Sequence, residues 1–524
     1  MKNKFFNSIA SQKSGRNRFD LSRERKQSMK MGKLTPVLLQ EVVPGDEISI
    51  QTEALVRLAP LQAPVMHRID CRIDYYFVAN RLIWNEWEEF ITGGDDGLNT
   101  PSFPRFSLNG TPEYVNAFKK GTLSDYLGLP VYNDGDTLPQ TEYVSALPFR
   151  AYQLIFNEFY RDQNLVDEVP IAKGSGIQSA LEMEPLLKLQ NRAWEKDYFT
   201  SALPDTQKGP EVTLPIGGEA DIKFQQDDNA SGVEDLNGNP VTGNLTTNAV
   251  GNIESGGTKV QIDNSRSLYA DLESATAVSI NELRKASALQ KWLELAMRGG
   301  SRYTEMLFNF FGVKSSDARL QRPEYLGGGK KPVVISEVVS TYNNSDNAED
   351  QPVGEMYGHG VSMAKGYNTG KKYFEEHGYI IGLMTVLPRT AYQQGLNRTW
   401  FKFDKFDHYF PQFANLGEQP VYNKELMFWN SSEQDDAFGY QQRYAEYKYA
   451  DDTVHGDFRD ELDYWHMGRK FATKPSLNED FITSDPDTRI FQVIDEQEDH
   501  LWCQIYHKIN AKRKMPYHAN PQLG

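Results

Sequence analysis

Short stretches in which apolar and polar residues alternate recur along most of the chain, and they constrain the fold more than any other feature. Within Arg68–Val78 every second side chain from Ile69 to Phe77 is apolar, and Asp70, Arg72 and Asp74 lie between them. A period of two is typical of a β-strand with one buried and one solvated face. A similar alternation appears in residues 501–509. Both segments are therefore predicted to be half-buried strands.

Other segments carry strand signals of a different kind. Residues 379–386 form a continuous apolar run that is closed by Pro388, which predicts a strand buried on both faces. Residues 47–58 and 333–339 are further candidates. Because these segments are scattered along the chain with long connections between them, the sequence predicts a mainly β fold with insertions between its strands.

A few helices are predicted between the strands. Ser279 is a favourable N-cap, and Glu282 completes a capping box for a helix that ends at Gly299 and Gly300. Another helix is predicted over residues 149–160, because this segment carries aromatic side chains at helical spacing.

The remaining predicted helix covers residues 82–91 and is followed by glycines at 93 and 94. Its apolar face would consist of Trp84, Trp87 and Ile91. A stripe of this kind indicates core packing far more often than a cofactor site.

Charge is distributed unevenly along the chain. The formal net charge is −16, which argues against a dedicated nucleic-acid-binding protein. Residues 1–33 nevertheless hold ten Lys/Arg against Asp20 and Glu24, and residues 508–524 hold four Lys/Arg and no carboxylate. These basic ends are either solvated tails or contacts for a polyanion. The candidate DNA-facing cations are Arg16, Arg18, Arg23, Arg25, Lys508, Lys512, Arg513 and Lys514, with Phe19, Tyr506 and Tyr517 as rings that could stack on bases.

One long segment, residues 204–266, differs from the rest in composition. It is rich in Gly, Asn, Asp and Thr, and it contains ten Asp/Glu against four Lys/Arg. Dense turn signals such as Asn237-Gly238-Asn239-Pro240 indicate a loop. A loop of this length within a compact domain is usually functional or unstructured. We therefore predict an exposed acidic insertion.

The search for catalytic or metal-binding residues yields only weak candidates. Glu355 and His359 lie in a glycine-flanked segment that reads as a loop, not as a metal-binding helix. A second group consists of His455, Asp457, Asp463 and His466, without a recognised ligand spacing. Structural hydrogen bonding is the favoured interpretation of both groups, although a divalent cation among Asp404, Asp407 or Asp463 is an alternative. No catalytic residue, metal or cofactor is predicted.

Other motifs exclude further classes. The basic glycine run at residues 327–331 lacks the spacing of a phosphate-binding loop. Cys71 and Cys503 form no paired motif; they could meet in space, but the pattern is typical of a reducing compartment. Neither a signal-peptide core nor an apolar run long enough to span a bilayer is present, so no membrane insertion is predicted.

Several phrases, in their order along the chain, resemble the major capsid proteins of gokushoviruses, the small single-stranded-DNA phages within the Microviridae. Two examples are Gly-Arg-Asn-Arg-Phe-Asp-Leu-Ser at 15–22 and Tyr-Phe-Pro-Gln-Phe-Ala-Asn-Leu-Gly-Glu-Gln-Pro-Val at 409–421. The other matching phrases lie at 31–37, 63–68, 77–91, 146–152, 194–204, 298–305, 317–328 and 438–447. No single phrase is decisive, but their joint order is specific.

The resemblance implies a fold and an assembly. The fold would be an eight-stranded antiparallel jelly-roll β-sandwich with long loop insertions and a few helices. Its core would span residues 34–203 and 267–507, between a basic arm at 1–33 and a basic tail at 508–524. Pentamers would assemble into a T=1 icosahedral shell of sixty copies around circular single-stranded DNA.

The same resemblance implies partners and a location. Residues 204–266 would form a protrusion near the threefold axes that contacts a bacterial host receptor, with Asp227, Asp228, Glu234 and Asp235 as candidate contacts. Other implied partners are a small basic DNA-packing protein, a pilot (minor virion) protein and a scaffolding protein. The mature location would be the virion capsid, assembled in the host bacterial cytoplasm.

Large interfaces between subunits would require aromatic side chains at the surface, because rings bury much area at low entropic cost. Candidate interface residues are Trp400, Phe401, Tyr409, Phe410, Phe413 and Trp429, and plain core packing is the alternative for each of them.

The rival function is an all-β carbohydrate-binding protein or glycoside hydrolase. A cleft with paired carboxylates and Trp or Tyr side chains would support this rival.

Overall fold

The computed structural model describes most of the chain. The described residues are 15–95, 97–108, 112–133, 136, 142–210, 212, 221–224, 233–237, 239, 241, 243–262, 268–271, 280–300, 302–339, 356–429, 433–495 and 497–518. Six residues named in the sequence analysis lie outside these ranges, namely Asp227, Asp228, Gly238, Pro240, Ser279 and Glu355.

Strands dominate the described residues. In chain order they are β1 (Asn17–Asp20), β2 (Arg23–Met29), β3 (Thr35–Val42), β4 (Glu47–Leu58), β5 (Ile69–Ala79), β6 (Arg105–Ser107), β7 (Tyr143–Ser145), β8 (Asp221–Phe224), β9 (Val233–Asp235), β10 (Leu245–Thr247), β11 (Ile253–Ser255), β12 (Thr258–Ile262), β13 (Leu268–Asp271), β14 (Glu324–Val339), β15 (Met356–Tyr373), β16 (Gly378–Pro388), β17 (Ala391–Tyr392), β18 (Glu418–Tyr422), β19 (Ala437–Gln442), β20 (Asp452–Thr453) and β21 (Leu501–Arg513).

Helices lie between the strands, and most of them are short, with α7 as the exception. They are α1 (Asn80–Ile83), α2 (Trp87–Thr92), α3 (Pro112–Ala117), α4 (Leu123–Leu127), α5 (Leu147–Ile155), α6 (Ala180–Leu187), α7 (Ile280–Gly299), α8 (Tyr303–Phe311), α9 (Asn423–Leu426) and α10 (Glu479–Ile482). A π-helical turn, Phe156–Tyr160, continues α5. Short 3-10 turns cover Arg398–Phe401, Lys405–Asp407, Pro411–Phe413, Ala445–Tyr447, Gly456–Arg459 and Asp463–Trp465.

Nine strands of the described residues form one curled antiparallel sheet. Its order is β1-β21-β4-β15-β14-β5-β16-β3, and β2 also pairs with β21. β1 lies beside Asn510–Arg513 and β2 beside Leu501–His507, so the two short strands share one edge of β21. The predicted antiparallel jelly-roll class is confirmed, with β2 as an addition to a path of eight strands. The strands predicted at 47–58, 379–386 and 501–509 are confirmed as β4, β16 and β21.

One face of this sheet encloses the main hydrophobic core. Residues with almost no exposure come from strands on both sides of the sheet's centre, as Ile50, Ile73, Ile380 and Ile505 illustrate. Along β21 buried and exposed residues alternate strictly from Leu501 to Ile509, so the prediction of a half-buried strand is confirmed there.

The two edges of the curled sheet meet through side chains and not through a backbone ladder. β3 pairs only with β16, and three carbonyl groups of β3 accept side-chain hydrogen bonds from β2 and β21. His507 Nε2 donates to Val37 O at 3.0 Å, Arg23 to Leu39 O at 2.6 Å and Arg513 to Glu41 O at 2.9 Å. These donors satisfy an edge that would otherwise offer unpaired carbonyls to another chain.

The contact of His507 predicts a pH dependence of stability. Burial lowers the pKa of His507 from 6.5 to about 4, and its Nδ1 lies 2.9 Å from the Thr52 hydroxyl. As the pH falls from 6.5 towards 4, the unfolded chain binds this proton before the folded chain does. We therefore expect the free energy of unfolding to fall by up to about 3 kcal/mol across that window.

The measurement compares wild type with His507→Gln, which keeps an amide donor for Val37 but cannot be protonated. Thermal unfolding midpoints at pH 7 and at pH 4.5 should differ less in the variant than in the wild type. An equal pH effect in both proteins would mean that His507 is not responsible for the loss.

β5 is buried on both faces, so the prediction that it is half-buried is wrong. Asp74 is 1% exposed and accepts hydrogen bonds from the Arg72 guanidinium at 2.6 Å and from the Tyr160 hydroxyl at 3.2 Å. The residues between the core positions face a second layer, where Tyr76 and Val78 pack with α5. The polar residues of β5 are therefore neutralised by partners inside the protein and not by water.

The helix predicted over residues 82–91 is interrupted. α1 ends before Trp84, whose backbone is extended, and α2 begins at Trp87. The break buries Trp84 completely, with its indole N–H donating to the Ser175 hydroxyl at 2.7 Å, and leaves Ile91 half exposed. The predicted stop at Gly93 is confirmed by its left-handed backbone.

The other two predicted helices are present. α5 and the π-helical turn together cover the segment predicted at 149–160, beginning two residues earlier at Leu147. α7 covers the segment predicted to follow Ser279, and Gly300 after it has a positive φ of 91°.

The chain divides into two compact units. One comprises Met1–Thr206 and Arg298–Gly524 and contains the curled sheet. The other, Gln207–Met297, contains a four-stranded sheet of order β10-β11-β12-β9, the pair β8 and β13, and most of α7. The insertion predicted at 204–266 falls largely within this second unit, and its exposure at a particle surface stays a prediction.

Candidate functional site

Three of the candidate DNA-facing arginines are engaged within the fold. Arg23 and Arg513 bond to carbonyls of β3, and Arg513 also lies 3.1 Å from the buried Asp46 carboxylate. Arg25 donates to Tyr126 O at 2.6 Å, and burial lowers its pKa. Residues 17–29 are strands of the main sheet and not a solvated tail. A direct DNA contact by these three side chains stays a prediction.

The other candidate cations lie at the surface. Arg16 lies over the ring of Tyr373 at 5.4 Å, and Arg18 donates to Asn510 Oδ1 at 2.8 Å. Lys508 and Lys512 point outward from β21. These four side chains lie on or beside one face of the sheet. Lys514 follows the strand, and its side chain lies beside Gly45.

The candidate stacking rings are placed as follows. Tyr506 is exposed on the outer face of β21. Phe19 stacks on the exposed ring of Tyr517, with ring centroids 5.8 Å apart. The two ends of the chain are therefore joined by a ring contact, which the sequence did not predict.

A group of exposed rings lies in the loops between β17 and β20. We define the aromatic surface as Trp400, Phe403, Tyr409, Phe410 and Tyr447, which are 46–89% exposed. The predicted interface residues contribute Trp400, Tyr409 and Phe410 to it. Trp429 is also exposed, whereas Phe401 and Phe413 are half-buried. Phe403 is the most exposed ring, and sequence reasoning missed it because it lies between charged residues.

The loops that carry the aromatic surface are held rigidly. The Asp407 carboxylate accepts hydrogen bonds from the backbone N–H groups of Phe403 at 3.1 Å and Asp404 at 3.0 Å. The carbonyl of Phe406 accepts from the Tyr444 hydroxyl at 3.1 Å and from Arg443 at 2.8 Å. Because the backbone is fixed before any contact forms, burying these rings costs little ordering entropy.

Lys402 and Glu446 add a polar anchor beside the aromatic surface. The Lys402 ammonium lies 2.9 Å from the Glu446 carboxylate and 3.8 Å from the centroid of the Tyr447 ring. The Lys402 contact lowers the pKa of Glu446 although burial opposes it. Tyr409 packs edge-on against Tyr444 with centroids 5.3 Å apart. Tyr409, Phe410 and Tyr447 thus belong to packed ring contacts and are not isolated.

The predicted histidine and carboxylate groups serve structural roles. His466 Nε2 lies 2.6 Å from Phe458 O, and its Nδ1 accepts from Gly468 N at 2.9 Å. Asp463 forms an ion pair with Lys470 at 3.2 Å. His359 lies within β15, so the loop predicted around it is wrong. Across the described part of the chain, no three His, Cys, Asp or Glu side chains are arranged to hold a metal ion.

The glycine run at 327–331 is a packing element of β14. A Cβ atom on Gly328 would lie 2.4 Å from Ile73 O, and one on Gly329 would lie 3.1 Å from the Tyr367 ring. Lys330 forms ion pairs with Asp70 at 3.1 Å and Glu195 at 2.7 Å. Glycine is therefore required for close strand packing, and the lysine neutralises carboxylates of this chain.

Comparison with known proteins identifies the family. A family model described as "Capsid protein (F protein)" matches residues 7–523. The chain belongs to the phage capsid protein (F protein) family. Proteins named Capsid protein VP1 are similar over almost their whole length: that of Chlamydia phage 1 is 35% identical, with 100% of this chain and 98% of the relative covered.

Two further capsid proteins VP1 show the same relationship. That of Bdellovibrio phage phiMH2K is 36% identical, with 91% of this chain and 90% of the relative covered. That of Spiroplasma virus 4 is 31% identical, with 94% and 92% covered. The resemblance to gokushovirus major capsid proteins is confirmed, and this capsid protein is a structural component of the virion. In the described residues no helix is long and apolar enough to cross a membrane.

Family membership makes the rival enzyme function wrong, and a carboxylate cleft of the kind that this rival would use has a structural explanation. Asp197 and Asp451 line a cleft of about 210 Å³. Asp197 accepts hydrogen bonds from the hydroxyls of Thr390 at 2.6 Å and Tyr392 at 2.7 Å. Burial and the neighbouring charge of Asp197 raise the pKa of Asp451 to about 7. The cleft is smaller than typical ligand pockets, and the Asp197 carboxylate serves to fix the surrounding hydroxyl groups.

Proposed function

We propose that this capsid protein is the subunit of a T=1 icosahedral shell of sixty copies, built from pentamers, that encloses a circular single-stranded DNA genome. The observation that carries the proposal is the aromatic surface, a group of exposed rings on a rigid backbone. Groups of exposed large apolar side chains on a soluble protein often mark interfaces. The central, desolvated parts of interfaces are enriched in Trp, Tyr and Phe.

The enclosed polyanion is supported by the surface cations at one face of the sheet. The protein as a whole is acidic, so its own cations would neutralise only a small part of the genome charge. We therefore include a small basic DNA-packing protein as a partner in the particle. A pilot (minor virion) protein and, during assembly in the host bacterial cytoplasm, a scaffolding protein complete the proposal.

The unit formed by Gln207–Met297 is proposed to contact the bacterial host receptor. Within it, Glu234 and Asp235 lie on β9. The Asp235 carboxylate accepts hydrogen bonds from the backbone N–H groups of Asn237 and Asn239, both within 2.9 Å, so it stabilises its own turn. The acidic composition of this segment favours a solvent-facing position away from the genome.

Nuclease protection tests the enclosure of DNA. Particles purified from bacteria that express the full chain together with the circular single-stranded genome are treated with a single-strand nuclease. We expect intact circular DNA to be recovered after the particles are opened, and free genome to be digested in the same tube. Particles that consistently leave the genome digestible would contradict enclosure.

A further inference from the structure

The outer face of the curled sheet differs from the rest of the surface of this acidic protein. On β21 the residues that alternate with the core positions are exposed, beginning with Trp502 and ending with Lys512. Direct pairing places residues of β1, β2 and β4 beside them on the same side. β15 continues this face beyond β4. We call the outward-pointing residues of these five strands the strand platform.

Cations outnumber carboxylates on the strand platform. The outward-pointing charged residues are Arg18, Lys26, Arg57, Lys365, Lys371, Lys508 and Lys512 against Asp20, Glu24, Glu47 and Glu53. In the whole chain the ratio is reversed, with 56 Lys/Arg against 72 Asp/Glu. The platform is therefore a local basic region on an acidic protein, as a surface that attracts a polyanion requires.

Most carboxylates of the strand platform already have partners. Glu53 forms an ion pair with Lys365 at 3.3 Å, and Glu24 with Lys26 at 3.7 Å. Asp20 accepts a hydrogen bond from the Ser22 backbone N–H at 3.0 Å. In the described ranges Arg57, Lys508 and Lys512 form no ion pair within 4.0 Å. These three cations remain available for an external anion.

Two aromatic rings lie on the same face as these cations, and the residues directly opposite Tyr506 are the paired carboxylates Glu24 and Glu53. Trp502 is 50% exposed and Tyr506 is 43% exposed, and both lie on the outer face of β21. Four residues along a strand correspond to about 13 Å, so one extended chain can reach both rings. Trp502 lies directly opposite Arg57, and Lys508 follows Tyr506 by two residues on the same face. Rings beside cations in an open row are typical of surfaces that bind single-stranded nucleic acid.

We infer that the strand platform binds single-stranded DNA, with Trp502 and Tyr506 stacking on bases and Arg57, Lys508 and Lys512 contacting phosphates. The inference rests on the proposed function. It also predicts the orientation of the subunit in the shell, because the strand platform must face the genome. Stacking requires unpaired bases, so single strands bind more tightly than duplex. No base edge is read, so the binding does not depend on sequence.

The test uses the full chain and a fluorescently labelled oligodeoxythymidylate, with affinity measured by anisotropy at several salt concentrations. Trp502→Ala and Tyr506→Ala should each weaken binding by roughly 5- to 150-fold, whereas Trp502→Phe should retain most of it. Lys508→Gln and Lys512→Gln should each lower the slope of log affinity against log salt by about 0.7. Trp429→Ala, an exposed ring outside the platform, is the matched control and should not change affinity.

The outcomes separate this inference from the proposed function. If both alanine variants bind the oligonucleotide as wild type does, or if duplex binds as tightly as the single strand, the inference is overturned. Particle formation by the same variants is scored independently by electron microscopy, so a failure of DNA binding with normal shells supports the platform and leaves assembly intact. A shell in which the strand platform is covered by another copy of the protein would also overturn it.

Discussion

Replacing Trp400 and Phe403 together with serine is expected to abolish shell formation while the subunit stays folded. Both rings are mostly exposed in the single chain, at 74% and 89%, so removing them deletes little of the core. In an assembled shell each ring would be buried in every copy, and a central aromatic anchor contributes about 2–4 kcal/mol to an interface. Because closure requires every interface at once, the weakened contacts should prevent particles at concentrations where the wild type assembles.

Sedimentation velocity and negative-stain microscopy measure the result, and circular dichroism checks the fold. Leu181→Ser is the matched control, since Leu181 is 83% exposed on α6, outside the aromatic surface. The control should assemble normally. If the double variant forms particles in normal yield, the aromatic surface does not hold the subunits together.

Replacing Arg150 with methionine should cause the largest loss of stability of the subunit itself. The Arg150 guanidinium is fully buried and donates to Ile83 O at 3.0 Å, Gly174 O at 2.9 Å and Gln178 Oε1 at 2.6 Å. Burial lowers the pKa of Arg150 to about 10, so the group stays charged at neutral pH. Methionine fills a similar volume but leaves the buried acceptors Ile83 O and Gln178 Oε1, and the partly buried Gly174 O, without this donor, which costs about 3–5 kcal/mol.

Urea unfolding of the full chain, followed by tryptophan fluorescence, measures this loss. Arg319→Met serves as the control, because Arg319 is exposed and makes no ion pair among the described residues. The midpoint of the control should match wild type, whereas that of Arg150→Met should fall clearly. If the urea midpoint of Arg150→Met equals that of the control, the stability of the subunit does not depend on the hydrogen bonds from this guanidinium to Ile83 and Gly174.

Much of the sheet could be predicted from the sequence because its signals are local. The alternation in β21 and the apolar run in β16 reflect directly which side chains face the core. The family phrases supplied the topology, which local patterns cannot give. The broken helix at Trp84 could not be predicted from spacing, because the break is caused by the burial of an indole against Ser175.

Two features that the sequence did not reveal share a physical cause, since each depends on distant segments. The polar residues of β5 resembled a solvated face, but a helical layer from a later part of the chain covers them. Local charge also could not show that the guanidinium groups of Arg23 and Arg513 bond to the carbonyls of β3, and a DNA contact by these two residues stays a prediction. Phe403 was missed for a local reason, because its neighbours are charged; its backbone N–H donates to Asp407, four residues later.

The central claim is that packed surfaces of this capsid protein, and not a reaction site, carry its function. Particles formed by the full chain can be tested directly by electron cryo-microscopy at side-chain resolution. We predict a closed shell of sixty copies in which the aromatic surface is buried between neighbouring subunits and the strand platform faces the interior. A monomer or a small open oligomer under assembly conditions, or a shell with the aromatic surface left in solvent, would contradict this account.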